Sequence, residues 1–240
     1  MQRHSLLFRI KPGTEAHVAE ILAGYERPET VIDDETRLLR TTVFMHGNVV
    51  VRTMDIEGSM QKVAAHLSRQ PQIQATEQAL NASLAEPRDL SDPAAAGAFF
   101  RRAMMQCIVD RRVPAEAGGD DPAATRHALL YPLRPSTGDA ADAIFQAGGD
   151  PPPQAGATRL LSTTVFRHGD TVVRLFEITG DLDEAIGHLV RAAALQSAGR
   201  GLAEFLDDGI DLTGENGLRS FFHRQLMSVV TDRRAVAQAI

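Results

Sequence analysis

The chain has 240 residues, of which 43% are hydrophobic, and this is enough for one sizeable core or two small ones. Its formal net charge is −6 and its arginines are scattered, which argues against a general affinity for nucleic acid or for an anionic membrane surface. The single cysteine, Cys107, excludes an internal disulfide framework. Because no apolar run approaches about 20 residues and no signal-peptide pattern is present, we expect a cytoplasmic protein.

The first half of the chain predicts alternating strands and helices. Pro12-Gly13 closes a first strand, and His46-Gly47 joins two β-branched strands into a hairpin, since glycine permits a positive φ. Gly58-Ser59 caps the helix that follows the hairpin. In chain order we predict a strand at 5–11, a helix at 14–25, hairpin strands at 36–45 and 48–57, a helix over 60–67, a helix at about 72–85 and a last strand at 99–113.

The second half repeats the first half at a constant separation. Arg174 follows Arg52 by 122 residues, and the same interval relates the hairpins, the phenylalanine pairs and the Asp-Arg-Arg triplets of the two halves. A register held over that length indicates a tandem duplication. The repeated elements are a strand at 129–133, a helix at 137–147, a hairpin at 158–178, helices at 182–195 and 199–207, and a final strand within 218–233. We predict two modules, 1–114 and 126–240, joined by a linker at 115–125 that is rich in Gly, Asp and Pro.

The element order in each module is that of the ferredoxin-like split βαβ fold, an α+β arrangement in which helices cover one face of an antiparallel sheet. In the predicted third and last strands, apolar residues lie on both faces. Since helices can cover only one face, the other must find a partner. We therefore predict tandem ferredoxin-like βαββαβ modules packed sheet on sheet as a pseudo-dimeric α+β barrel, with a ligand cavity between the sheets.

Two arginines occupy matching positions on a central strand. Arg52 lies two residues from Met54, and Arg174 lies two residues from Phe176, so each arginine shares a strand face with apolar side chains. An arginine on such a face is costly unless it is paired or near water. One interpretation is a cavity arginine that binds a phenolate, enolate or carboxylate. The other is an arginine that pairs with an acid such as Asp110 or Asp232.

Histidines occupy both hairpin turns. His46 and His168 could act as general bases over the mouth of the barrel, because histidine titrates near neutrality. They could equally be exposed turn residues that maintain the shape of the loop. With the two arginines, they form the set of candidate catalytic residues.

Differences between the copies suggest where a duplicated protein has specialised. His223 has no histidine counterpart, and Tyr131 is matched by Arg9 at the constant offset. Alternation along the predicted final strand places His223 and Arg224 on opposite faces. Cys107 is expected to be an inert core thiol. The candidate substrate-binding residues are Met54, Phe176, Tyr131, Arg102, Arg224 and His223.

Several motifs are absent from the sequence. The chain contains no glycine-rich dinucleotide or phosphate loop, no His-Glu-x-x-His, no Cys-x-x-Cys and no Gly-x-Ser-x-Gly elbow. Nothing in the sequence therefore indicates a nucleotide, a flavin or a metal, and we expect no cofactor. If the protein is an enzyme, the cavity itself carries the chemistry.

In combination, several segments resemble the SchA/CurD-like family. They are Arg37–Phe44, His66–Pro71, Arg88–Pro93, Leu133–Pro135, Gly148–Pro152 and His168–Arg174. The resemblance extends over nearly the whole chain. Members of this family are encoded in actinomycete clusters for type II aromatic polyketides, including spore pigments, so the resemblance implies tailoring of a polycyclic phenolic intermediate. It supplies no catalytic residues.

The expected architecture is also similar to that of small α+β-barrel monooxygenases of antibiotic biosynthesis, which oxidise anthrone-type substrates without a cofactor. A deprotonated phenol can itself give an electron to O₂, so we expect a cofactor-independent monooxygenase that forms a quinone from a phenol or anthrone and molecular oxygen. The alternatives are a polyketide aromatase/cyclase and a non-catalytic protein that binds polyketides or acts as a scaffold. A homodimer is also compatible with the sequence.

Overall fold

The computed structural model describes residues 1–89, 92–113, 121–148, 157–206, 210 and 212–235. The chain divides into two compact units, of which the first comprises Met1–Met105 with Ser228–Ile240 and the second Gln106–Met227. The helices and strands in chain order are β1 (Gln2–Arg9), α1 (Glu15–Gly24), β2 (Arg37–His46), β3 (Val49–Glu57), α2 (Met60–Leu67), α3 (Pro71–Asn81), α4 (Pro93–Ala103), β4 (Gln106–Arg112), β5 (Thr125–Pro132), α5 (Gly138–Ala147), β6 (Arg159–His168), β7 (Thr171–Thr179), α6 (Leu182–Arg191), α7 (Ala193–Leu202), α8 (Gly214–Gln225) and β8 (Ser228–Arg234).

Each unit contains a four-stranded antiparallel sheet. The strand order is β1-β3-β2-β8 in the first unit and β4-β6-β7-β5 in the second. Helices accompany both sheets, and the predicted α+β fold class is confirmed. Packing of one sheet on the other, as in a barrel, stays a prediction.

The final strands of the two repeats are exchanged between the sheets. β8 ends the second repeat but pairs with β2 of the first, whereas β4 ends the first repeat and pairs with β6 of the second. The sequence boundaries 1–114 and 126–240 therefore mark the duplicated segments, and the compact units differ from them by this exchange. Residues 115–120 of the predicted linker lie outside the described residues, and Thr125 already belongs to β5.

The single long strand predicted at 99–113 is wrong, and the final strand expected within 218–233 is present but is confined to the end of that stretch, as β8. Each of these stretches consists of the end of a helix followed by a shorter strand: α4 then β4, and α8 then β8. Asp92 caps α4 by accepting a hydrogen bond from the backbone N–H of Ala94 at 2.8 Å, and Pro93 occupies the first turn. The alanine-rich start of α4 favours a helix, which outweighs the apparent alternation around Phe99 and Phe100.

Glycines close both hairpins as predicted. Gly47 has φ +51° and Gly169 has φ +56°, and each begins a two-residue loop between paired strands. His46 and His168 are the last residues of β2 and β6, paired with Val49 and Thr171 respectively. They are half-buried strand ends and not members of the turns themselves.

Both sides of the first sheet are buried, as the alternation predicted. The side that carries Val50 and Met54 packs against apolar residues of α1, α2 and α3, and we call it the helix side. On the opposite side, Val51, Thr53 and Asp55 are also buried. The same two-sided burial is found along β7 of the second sheet.

Ion pairs and hydroxyls occupy much of the opposite side of the first sheet. Arg3 donates two hydrogen bonds to Asp55, at 2.7 and 3.0 Å. Arg40 donates through Nε to Asp232 at 2.8 Å, and the hydroxyl of Thr42 donates to the same carboxylate at 2.9 Å. Asp232 lies on β8, so these bonds tie the exchanged strand to β2.

The second sheet repeats this arrangement with its own partners. Arg126 donates to Glu177 at 2.8 Å, and the Ser162 hydroxyl donates to the same carboxylate at 2.7 Å. Thr164 donates to Asp110 of the exchanged strand β4 at 3.0 Å. The acids that the sequence offered as partners for the central arginines are therefore engaged by other groups on the opposite side of each sheet.

Candidate functional site

The four candidate catalytic residues do not converge on one site. Arg52 lies opposite Val43 in the strand register, on the helix side, whereas His46 lies three positions further along β2 and on the other side of the sheet. The same relation separates His168 from Arg174 in the second sheet. A histidine base acting on a ligand held by the arginine of its own sheet would have to act through that sheet.

Arg52 is a charged residue between two apolar clusters on the helix side of the first sheet. Its guanidinium lies 3.8 Å from the carboxylate of Glu77 on α3 and 6.0 Å from the centre of the Tyr25 ring. The Nε atom is buried and has no hydrogen-bond partner in the described part of the chain. Its neighbours Val50 and Met54 belong to two separate buried apolar clusters, so the arginine interrupts the core at this point.

A second arginine reaches the same carboxylate from the loop after α3. The Arg88 guanidinium donates a short hydrogen bond to Glu77 and lies 4.5 Å from the centre of the Phe99 ring. Asn81 fixes the backbone of this loop, because its side chain both donates to the Arg88 carbonyl and accepts from the Arg88 N–H at 2.9 Å. The Nε atom of Arg88 is also buried without a partner in the described residues.

A third arginine comes from the exchanged strand β8. Arg233 lies 4.0 Å from the centre of the Tyr25 ring and donates through Nη2 to the Ala23 carbonyl at 2.9 Å. Its Nη1 atom is buried without a partner, as is the hydroxyl oxygen of Thr231, which lies opposite Val43 in the sheet. Because Tyr25 contacts both arginines, the Arg52 and Arg233 guanidinium carbons are at most about 10 Å apart.

We call Arg52, Arg88, Arg233, Glu77 and Tyr25 the arginine cluster. Within the described residues, Glu77 is the one carboxylate that forms an ion pair with any of these arginines, and it pairs with Arg52 and Arg88. One carboxylate therefore faces three cations, so the cluster keeps an excess of positive charge. A buried donor left without an acceptor costs about 1–3 kcal/mol. Three such N–H groups in one cluster indicate a place that a ligand oxygen or water completes, and an anionic oxygen suits the charge.

At the equivalent position in the second sheet, the arginine is hydrogen-bonded by uncharged hydroxyl groups. Arg174 donates through Nε to the hydroxyl of Thr163 at 3.0 Å and hydrogen-bonds the hydroxyl of Tyr131. Burial raises the pKa of Tyr131, and the charge and hydrogen bond of Arg174 oppose that rise. Gly199 replaces Glu77 at the 122-residue offset, and a Cβ there would lie 2.9 Å from the Leu212 carbonyl oxygen. This side of the second sheet has no room for a carboxylate at that point.

Aromatic packing fills the helix side of the second sheet. The Tyr131 ring lies 4.8 Å from Phe221 and 5.4 Å from Phe145, and Phe176 stacks on His127 at 5.5 Å. All of these phenylalanines are buried within one continuous apolar cluster. The first sheet carries its charged cluster where the second has a closed core, and we infer that the copies have diverged.

The strand pairing gives Tyr131 a different counterpart in the first repeat from the one that the constant sequence offset gave. Tyr131 pairs with Val172, and the residue that pairs with the matching Val50 is Phe8. The counterpart of Tyr131 is therefore Phe8, and the match to Arg9 is wrong because the first strands are offset by 123 residues.

Three of the candidate substrate-binding residues do not lie on the strands predicted for them. Arg102 lies on α4, and His223 and Arg224 lie on α8; all three are exposed helical residues, since the strands predicted for them are helices. Cys107 is exposed on β4, with its Sγ atom 3.6 Å from the Val109 carbonyl, so its expected place in the core is wrong. Met54 and Phe176 are buried on the helix sides of their sheets and not on the opposite sides, where a cavity between the sheets was expected.

Sequence reasoning missed most of the arginine cluster. Tyr25, Glu77, Arg88 and Arg233 were not candidates, although the repeat itself carried a signal for two of them. At the 122-residue offset, Glu77 becomes glycine and Arg88 becomes isoleucine, so the second copy loses both partners of the charged network. The other two depend on contacts between elements distant in sequence.

The described residues contain no group of three or more His, Cys, Asp or Glu side chains placed to hold a metal ion. Among the described helices, none has both the length and the apolar character needed to cross a bilayer.

Together, the fold and the site define a duplicated α+β protein. Its first compact unit carries an arginine cluster in which some buried N–H groups have no hydrogen-bond partner among the described residues. The sequence places it more closely: residues 1–113 and 124–235 each match the SchA/CurD like domain, and the chain belongs to this family. The two matched segments coincide with the two repeats.

Three curated relatives cover nearly all of the chain. It is 41% identical to the polyketide synthase CurD of Streptomyces cyaneus, over 97% of this chain and 64% of that protein. It is 37% identical to the 42.8 kDa protein in the whiE locus of Streptomyces coelicolor, over 97% of this chain and 59% of the relative, and 33% identical to protein SchA of Streptomyces halstedii, over 98% and 62%. The chain thus spans about three fifths of the length of these relatives.

Solved structures show more distant likeness. An anthrone oxidase-like protein aligns with a TM-score of 0.46 and 11% identity, over 99% of this chain and 96% of its own. A protein of Lactobacillus acidophilus NCFM, provisionally assigned to the monooxygenases, aligns with a TM-score of 0.47 and 5% identity, over 98% and 97%.

Proposed function

We propose that this chain is a tailoring enzyme of aromatic polyketide biosynthesis, in which the arginine cluster of the first unit binds a polycyclic phenol or anthrone as its anion. The observation that carries the proposal is the set of buried N–H groups on Arg52, Arg88 and Arg233 that have no partner among the described residues; Arg52 and Arg233 both lie beside Tyr25. The relative named as polyketide synthase CurD supplies the substrate class.

The proposed reaction is a cofactor-independent oxygenation that converts an anthrone methylene into a quinone carbonyl. One O₂ is consumed for each quinone: one oxygen atom enters the product, and the other leaves as water with the two methylene hydrogens. The anion of the anthrone gives an electron to O₂, and recombination forms the new C–O bond. Loss of water then completes the quinone.

The chain's own residues act on the charge of the substrate. Arg52 and Arg233 favour the ionised substrate by donating hydrogen bonds to its oxygen, which lowers the pKa of the bound phenol. Glu77 positions Arg52 and Arg88 by contacting both guanidinium groups. The surrounding apolar clusters on the helix side limit water, so these charges act more strongly than they would in solvent.

The test is turnover of 1,8-dihydroxy-9-anthrone by the purified full chain in air, followed through quinone absorbance and an oxygen electrode. We expect one O₂ consumed per quinone and no turnover under argon. Arg52→Gln should lower kcat/KM by about a hundredfold, as removal of one charge-stabilising donor does in other enzymes. Arg174→Gln, the matched change in the second copy, should stay within about threefold of the parent chain.

Three results would contradict the proposal. Equal losses in the two variants would mean that these arginines support the fold and not the reaction. Turnover that continues without oxygen would exclude the oxygenase and favour a cyclase. Absence of quinone above the uncatalysed rate, with the anthrone bound, would favour a non-catalytic polyketide-binding protein.

A further inference from the structure

A second cationic site lies at the end of the first sheet, outside most of the arginine cluster. A groove with a cavity volume of about 440 Å³ lies between residues 27–31, which follow α1, and the paired ends of β2 and β8. Four arginines line it: Arg27, Arg40, Arg233 and Arg234. A volume of this size is within the range of small-molecule sites.

The groove keeps uncompensated positive charge. Arg40 is occupied by its ion pair with Asp232, but the Arg27 side chain makes no hydrogen bond or ion pair in the described part of the chain. Arg233 also lines the groove, and its Nη2 atom donates to the Ala23 carbonyl at 2.9 Å. Glu29 is the one acidic side chain of the lining, and it extends into solvent.

Apolar surface lies beside these cations. Val31 is 49% exposed, which is unusual among the described large hydrophobic residues, and the half-buried Leu39 also lines the groove. An exposed valine beside arginines suits a ligand that joins an apolar body to an anionic group.

The groove is preformed by backbone bonds on both of its sides. Leu38 N–H donates to the Thr30 carbonyl at 2.8 Å, which fixes the loop against β2. On the other side, Ala235 N–H donates to the Leu39 carbonyl at 2.7 Å, which fixes the end of β8. A ligand therefore meets a wall that is already ordered, and little of its binding free energy is lost in arranging the site.

We propose that this groove binds an aromatic or otherwise apolar carboxylate, with the carboxylate against Arg27 and Arg234 and the apolar body against Val31. Arginine suits this role because its planar guanidinium matches a carboxylate with two parallel hydrogen bonds. The inference is independent of the proposed oxygenase reaction, which needs Arg52 and Arg233 and neither Arg27 nor Arg234.

Isothermal titration of the full chain with 2-naphthoate tests the inference. The neutral control ligand is 2-naphthamide, which has the same ring and nearly the same shape. We expect 2-naphthoate to bind with a stoichiometry of one, and the amide to bind at least about tenfold more weakly, as expected when a charge-assisted hydrogen bond is lost. Raising the salt concentration should weaken only the carboxylate.

Variants locate the site. Arg27→Gln with Arg234→Gln should weaken 2-naphthoate binding at least about tenfold, while Arg200→Gln, a change at an exposed arginine of the second unit, should leave it within about twofold. Arg52→Gln should also leave it within about twofold, and thermal melting checks that each variant is folded. Equal affinity for the amide, unchanged binding in the double variant, no saturable binding, or loss through Arg52→Gln would each overturn the proposal.

Discussion

The buried ion pair between β1 and β3 allows a quantitative test of the first sheet. The side chains of Arg3 and Asp55 are 1% and 3% exposed, and two hydrogen bonds join them. Asp55→Asn keeps the shape of the side chain but removes its charge, so Arg3 stays buried without a counterion. Breaking a buried pair in this way costs about 3–5 kcal/mol of unfolding free energy.

The neighbouring strand pair of the same sheet, β2 and β3, offers a matched control. Arg37 and Glu57 form a pair at 3.4 Å, but their side chains are 49% and 47% exposed. Because solvent screens such a pair, Glu57→Gln should cost less than about 1 kcal/mol. The double variant Arg3→Met/Asp55→Leu removes both buried charges, and it should be within about 1 kcal/mol of the parent chain or more stable.

Urea unfolding followed by far-ultraviolet circular dichroism measures these differences, since the chain has no tryptophan to report by fluorescence. Asp55→Asn should also lower Tm by roughly 6–10 °C for a chain of this size. If Asp55→Asn costs no more than Glu57→Gln, or if the double variant is as damaged as the single one, the reasoning from burial is refuted.

Three further predictions concern the backbone and pH. Gly58→Ala should destabilise the fold by about 3 kcal/mol, because φ is +75° and a Cβ would lie 2.5 Å from the Glu35 carbonyl oxygen; Gly47→Ala, with open space around its Cβ position, should cost about 1 kcal/mol in the same urea assay. Burial lowers the pKa of His4, so its stabilising contribution is present above pH 6.5 and is lost as pH falls through the folded-state pKa. His4→Gln should therefore reduce the fall of Tm on the acid side of a plot of Tm against pH. An unchanged fall would contradict this. Burial raises the pKa of Tyr131, so its stabilising contribution is present below pH 10 and is lost as pH rises through the folded-state pKa. Tyr131→Phe should therefore lose less stability at alkaline pH than the parent chain. Equal losses would exclude this tyrosine as the cause of the alkaline destabilisation.

The hairpins and the duplication could be predicted from the sequence because both depend on local patterns. Alternating β-branched residues and a glycine at the turn determine each hairpin without reference to the rest of the chain. The helix at the end of each repeat was missed because Phe99 and Phe100 followed by Arg101 and Arg102 satisfy a strand pattern as well as a helical one. The cap at Asp92-Pro93 was the better guide.

The exchange of the final strands could not be read from the sequence. The two available edges, β2 and β6, both contain Thr-Thr-Val-Phe, at 41–44 and 163–166, so each final strand meets nearly the same partner in either copy. Pairing is then decided by the whole chain and not by any local segment.

The candidate site was predictable in part. Alternation placed Arg52 beside Val50 and Met54, and the structure keeps it there. Its partners Glu77 and Tyr25 come from α3 and from the residue after α1, and no spacing along the sequence links them to β3. A constellation assembled from separate elements has no periodic signal in the sequence.

The pairing of β2 with β8 has a consequence for biosynthesis of the protein. The bonds from Arg40 and Thr42 to Asp232 join residues about 190 positions apart, so the first sheet remains open at one edge until β8 has been synthesised. A polypeptide released after Val113 would present that edge to other chains and would tend to aggregate. Neither repeat is therefore expected to be recoverable alone in soluble form, and the ancestral single-copy protein would have needed two chains to complete the same sheets.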